Sequence, residues 1–150
     1  MKILLDTNIL GRLANLSDVS HDLVEDVVSK LHRAGETLYI TPQNLIEFRG
    51  FATRPLSLNG LGRTTIEVDA LIADYEASFP LLPDTPDIFP AWKAIVQSLG
   101  VIGKQVHDAR LMAVCQVYQV THLLTFNVVH FARFAAATNP QVAILDPRTV

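Results

Sequence analysis

Three acidic residues of this 150-residue chain stand where a charge is out of place. Asp6 directly follows the apolar run Ile3-Leu4-Leu5. Glu47 interrupts the stretch Leu45-Ile46-Glu47-Phe48. Asp108 precedes a long apolar segment running to Tyr118. Brought to one point, three carboxylates repel. Each then needs a cation to offset burial, or one of them keeps a proton. Mg2+ answers this requirement, with Mn2+ as the alternative. It takes oxygen ligands, holds six, and usually keeps several as water. Two or three carboxylates plus water leave room for a phosphate oxygen. An ion so held activates water and offsets the charge that develops on a phosphodiester under attack.

Each residue also has an ordinary structural role open to it. Asp6 can cap a short helix that follows it, Glu47 can lie on a solvated helix face, and Asp108 can be a first-turn helix anion. Other chemistries find little support. His107 beside Asp108 suggests a general base, but a hydrolytic metal site needs no histidine. His122 and His130 read as structural or surface residues, and Cys115 among Val114 and Val117 as core. No glycine-rich phosphate loop and no Ser-His-Asp context occurs. A phosphatase forming an aspartyl phosphate is disfavoured, because the residue two after Asp6 is Asn8 rather than a second aspartate.

The elements that must position these groups follow from hydrophobic periodicity. Ile3–Leu5, Leu38–Ile40, His122–Thr125 and Val142–Leu145 read as short strands, and Leu81-Leu82 as a fifth candidate. His21 to Ala34 reads as a helix with Leu23, Val24, Val27, Val28 and Leu31 on one face, Ser20 as its cap and Gly35 as its stop. Thr41-Pro42 opens a helix over Gln43 to Ala52. Arg54 to Gly62 reads as a loop. Thr64 and Glu67 form a capping box for a helix carrying Val68, Leu71, Ile72, Tyr75 and Phe79. Asp87 to Leu99 and Asp108 to Tyr118 are the remaining helices, the second apolar nearly all round. Strands alternating with amphipathic helices predict a parallel sheet covered by helices on both faces. In such a sheet, functional groups collect beyond the carboxyl ends of the strands. Asp6 and Asn127 each lie just after a strand there.

Composition sets outer bounds. Hydrophobic residues make up 49% of the chain, enough for one sizeable core, so one domain over 1–150 is expected. The net charge of −3 gives no global field for nucleic acid, so binding a phosphate chain requires a local patch or a cation. One cysteine permits no internal disulfide. No run approaches the roughly 20 apolar residues of a membrane helix. A soluble, cytoplasmic protein is expected.

In order along the chain, four motifs resemble the signature of PIN domains. They are Asp6-Thr7-Asn8 after the first strand, the isolated helical Glu47, His107-Asp108-Ala109, and Thr125-Phe126-Asn127 ahead of His130-Phe131. The length and near full-chain coverage resemble VapC-type toxins of toxin–antitoxin pairs. The resemblance implies a three-layer α/β/α sandwich with a central parallel sheet and Mg2+-dependent cleavage of RNA. It implies Asp6 and Asp108 as principal metal ligands and Glu47 as the residue completing the acidic site. Thr7 and Thr125 match supporting hydroxyl residues. It also implies a small antitoxin partner and a homodimer. The fourth acidic position of the family is here Asn127, whose amide can accept a hydrogen bond but brings no charge, so one well-bound ion is expected rather than two. Arg49, Arg54, Arg63 and Lys104 flank the expected groove in sequence and are candidate RNA contacts. The alternative is a PIN-fold module that binds RNA or protein without cutting it.

Overall fold

In the computed structural model, which describes residues 1–150, three residues at the end of the first strand set the plan of the molecule. Ile3 and Leu5 point to one face of a sheet and Leu4 to the other, as the two-residue strand period requires. All three are fully buried, and each face carries its own apolar cluster. The first strand β1 (Lys2–Leu5) is therefore covered on both sides.

The sheet has four strands, all parallel. They are β1, β2 (Thr37–Tyr39), β3 (His122–Leu124) and β4 (Ala143–Leu145), in the order β2-β1-β3-β4. Helices α1 (Thr7–Ala14), α2 (His21–Arg33), α3 (Pro42–Thr53) and α4 (Thr65–Ser78) pack on the face of Ile3 and Leu5. Helices α5 (Ile88–Leu99), α6 (Gln105–Tyr118) and α7 (Val128–Ala135) pack on the face of Leu4 and Leu123. This is a three-layer α/β/α sandwich, as expected.

The chain leaves β1 toward β2 on one side, and β3 and β4 occupy the other. The order thus reverses between β1 and β3. Crevices for ligands form where the strand order reverses, at the carboxyl ends of the strands. The register pairs Leu5 with Leu124, which sets Asp6 beside Thr125 across that crevice.

Several expectations are corrected in detail. Two short helices are not assigned from the sequence, α7 and α1, the latter entering only as an alternative role for Asp6 as a cap. Each has only eight residues. Ser20 does not cap α2 with its side chain, because its backbone, at φ −101° and ψ 5°, is not extended as at the residues that do cap, and its N–H joins a turn with Asp18 Oδ1 at 2.8 Å. Gly35, at φ 80°, does end that helix. The fifth strand shrinks to a single bridge between Ile40 and Leu81, flanked by prolines at positions 80 and 83 that cannot donate to a ladder. Helix α6 begins at Gln105, so Asp108 is its fourth residue rather than its first.

Leu4 lies in a central strand with no exposed surface. Leu4→Ala is expected to destabilise the fold by about 2–5 kcal/mol through lost burial and a residual cavity. Urea denaturation with an unchanged midpoint would show that the sheet is not covered on that face.

Candidate metal and nuclease site

Asp6 is both a cap and a site residue, so its two possible roles do not compete. As N-cap of α1 it accepts a hydrogen bond from the Thr7 backbone N–H at 2.7 Å through Oδ1. Its Oδ2 accepts from Thr125 Oγ1 and from Asn8 Nδ2, each at 2.6 Å. Thr125 is fully buried, and its Oγ1 also accepts from the Asn127 backbone N–H at 2.9 Å. One hydroxyl thus joins the end of β1 to the loop after β3.

Glu47 projects from the second turn of α3 and is half-buried rather than solvated. Its Oε2 accepts from Thr7 Oγ1 at 2.6 Å and its Oε1 from Gln43 Nε2 at 2.8 Å. Behind these bonds stands a second tier. Asn44, which closes the cap of α3 with Thr41, donates to Thr7 Oγ1 at 3.2 Å. Gln43 also donates to the His107 carbonyl at 2.8 Å and accepts from Arg110 at 3.1 Å. Arg110 is held in turn by Asp84 at 2.8 Å. Helices α3 and α6 are tied together in this way beside the mouth of the crevice.

Asp6, Glu47 and Asp108 line one cleft of about 460 Å³, together with Thr7, Asn8, Gly11, Arg12, Asp18, Phe51 and Asn127. Gly11 matters for space, since a Cβ there would stand 3.0 Å from the Phe51 ring and push α1 away from α3. The side chain of Asn127, just before α7, makes no hydrogen bond within the protein.

The electrostatics match a crowded acidic site. Burial pushes the Asp6 carboxyl up to about 7. The hydrogen bond from Thr125 pulls against this, and the charges of Asp108 and Glu47 add to it. Asp108 is also raised, first by burial and then by Glu47, while His130 and His107 lower it. The three groups sense one another, yet their oxygens do not all close to within 4.8 Å. Glu47 is tied back by Thr7 and Gln43. The set that does close is His21, Asp22 and Glu25 on α2, where both acids are exposed and the histidine Nδ1 is engaged with the Arg12 carbonyl at 2.9 Å.

A family model described as PIN domain matches residues 3–137. The chain belongs to the PIN-domain family. No protein of curated function matches it at a significant level. Among solved structures, this PIN domain is similar to VapBC2 from Rickettsia felis bound to a DNA fragment from their promoter, with 15% identity and a TM-score of 0.72 over 97% of this chain and 98% of that one. It is similar to Mycobacterium tuberculosis VapC20, a sarcin-ricin loop cleaving toxin, with 18% identity and a TM-score of 0.65 over 87% and 93%. It is also similar to a toxin–antitoxin complex from Klebsiella pneumoniae, with 19% identity and a TM-score of 0.63 over 97% of each chain.

The other residues expected at the site of this PIN domain fall in different places. Thr7 and Thr125 buttress Glu47 and Asp6 as described. Arg49 pairs with Asp69, and Arg63 lies 3.9 Å from Glu67, both away from the cleft lining. Arg54 is exposed, with its guanidinium 5.8 Å from the centre of the Phe51 ring at the cleft wall. Lys104 is exposed just ahead of α6. Sequence reasoning missed Asn8, Arg12, Gln43 and Asn44. Asn8 and Arg12 are four apart on α1, so recognising Asp6 as a true cap would have put both on one helical face.

In the metal-free protein, the raised Asp6 value makes stability fall as pH rises from about 4 to about 7. An aspartate in the unfolded chain loses its proton near 3.9, while the folded one keeps it to about 7. In EDTA, Asp6→Asn is therefore expected to melt higher than the parent at pH 8, with the gap closing toward pH 4. Parallel melting curves across that range would remove the burial argument. Thr125→Val, which deletes the strongest opposing hydrogen bond, is expected to move the Asp6 titration above 7 when the carboxyl carbon is followed by NMR.

Proposed function

We propose that this chain is an endoribonuclease that hydrolyses RNA phosphodiester bonds with a divalent cation. The observation that carries the reading is Asp6. It is a carboxylate at the sheet's switch point, held by three donors and driven toward a proton by its burial and, to a lesser degree, by two other acids in the same cleft. A group so placed fits a hard cation, which relieves the repulsion and takes oxygen ligands. Asp6 and Asp108 would hold Mg2+, with Mn2+ able to replace it. When bound, such an ion supplies Lewis acidity and positive charge for phosphodiester hydrolysis.

The protein's own groups take distinct tasks. Thr125, Asn8 and the Thr7 N–H fix the Asp6 carboxylate in one rotamer. Glu47, braced by Thr7 and Gln43, orients an attacking water and accepts its proton. Asn127 offers a free amide to water or a phosphate oxygen. Arg54 and Lys104 meet the strand on the flanks of the cleft. The VapBC likeness supports the toxin role in a type II toxin–antitoxin pair, with a small antitoxin as partner; a homodimer is proposed as the working form. The cytoplasm is the proposed place of action. No helix is long and apolar enough to cross a membrane.

One observation favours a second reading, a module that binds RNA or protein without cutting. Asn127 brings no charge where a fourth acid would strengthen the site, and the three acids do not close as a set.

Labelled RNA should be cut with Mg2+ and left intact in EDTA. Asp6→Asn and Asp108→Asn should each lose more than the about 10–100-fold typical of residues one bond removed from a metal. Thr125→Val should fall inside that range. Equal cleavage by Asp6→Asn and the parent protein would mean a contaminating enzyme. Mg2+ should also raise the melting temperature more at pH 8 than at pH 5.5, because below about 7 the ion must displace the Asp6 proton. A melting temperature indifferent to Mg2+ at both pH values would favour the binding module.

A further inference from the structure

We propose that Arg12 is the phosphate-binding residue of the cleft, receiving non-bridging oxygens of a single-stranded RNA backbone beside Asp6 and Asp108. This rests on RNA being the ligand of that site. Four of the ten residues lining the cleft are acids, and Arg12 is the one cation among them. A polyanion entering such a cleft needs a positive group on its wall, and the chain's overall charge of −3 supplies none.

The guanidinium is placed but its donors are largely unspent. It lies over the Phe126 ring, 4.2 Å from the centroid, and is anchored there by the cation–π contact. Its Nε is sealed from solvent and makes no hydrogen bond. Asp18 stands 3.7 Å from Nε, near enough to attract the charge and too far to take a hydrogen bond. Only Nη1 is engaged, by a long 3.4 Å bond to the Asn8 carbonyl. Three other arginines differ. Arg110 and Arg148 each donate to an aspartate at 2.8 Å and 2.7 Å, and Arg49 is paired with Asp69.

Arg12 also sits one helical turn after Asn8, the residue that donates to Asp6 Oδ2. Helix α1 thus carries the brace of the acidic site and a planar cation on neighbouring turns. With Nε sealed off, the terminal Nη1 and Nη2 groups present paired N–H donors that match phosphate oxygens, which a lysine ammonium cannot do as a fork.

The test reads binding separately from cleavage. Glu47→Gln serves as a cutting-deficient background that keeps Asp6 and Asp108. A fluorescein-labelled single-stranded RNA is titrated by anisotropy in Mg2+ between about 50 and 200 mM salt, the range over which phosphate contacts show most. Adding Arg12→Gln is expected to weaken binding about tenfold and to flatten the log–log salt slope by about 0.7, the value for one phosphate of a single strand. Adding Arg12→Lys should keep the slope while recovering only part of the affinity. If Arg12→Gln melts lower but its salt slope equals the parent's, Arg12 merely tethers α1 to the Phe126 loop and the proposal falls. A chain that binds RNA through Arg12 yet never cuts it would sink the ribonuclease reading and leave this one standing. A chain that cuts RNA with an unchanged slope would do the reverse.

Discussion

The structure turns on the position of one carboxylate. Asp6 sits at the end of the most enclosed strand, at the point where the sheet changes direction, with two further acids in the same cleft. Burial alone would hold it neutral. The three hydrogen bonds from Thr7, Asn8 and Thr125 work in the opposite sense, stabilising the charged form. The result is a group close to balance, whose ionisation depends on what charge stands next to it. In the proposed reading a divalent cation would settle that balance, and the packing around Asp6 is what would make the cleft receptive to one.

The surrounding architecture serves this balance from both sides of the sheet. Helix α3 belongs to one face and α6 to the other, yet Gln43 links Glu47 to the His107 carbonyl and to Arg110. Thr7 links the start of α1 to Glu47 and Asn44. Side-chain amides and hydroxyls do this linking. Neutral groups can bridge carboxylates without quenching them, so the negative potential in the cleft survives. The full cations nearby are either engaged by acids outside it, as Arg110 is, or stacked on its wall, as Arg12 is.

Much of this was legible in the chain. The alternation of short apolar strands with amphipathic helices determined a parallel sheet with two covered faces, because a strand with no polar alternation must be buried on both sides. The Thr41-Pro42 start, the capping pair Thr64–Glu67 and the stop at Gly35 marked helix ends through local chemistry alone. The acids were visible because each interrupts or terminates an apolar run, where an unpaired charge is costly.

Tertiary structure decided the rest. The two eight-residue helices, α1 and α7, span about two turns each and are not assigned from the sequence, so Asn8 and Arg12 could not be placed in the cleft. From the sequence Arg49 and Arg63 read as candidate RNA contacts, and Arg12 does not. Only the fold reveals that Asp69 on α4 pairs with Arg49, while Phe126, more than a hundred residues on, anchors Arg12. Sequence records which groups are charged and where local bonds start a helix. Which charges are neutralised, and which are left free to meet a ligand, depends on contacts between segments that have no neighbourhood until the sheet closes.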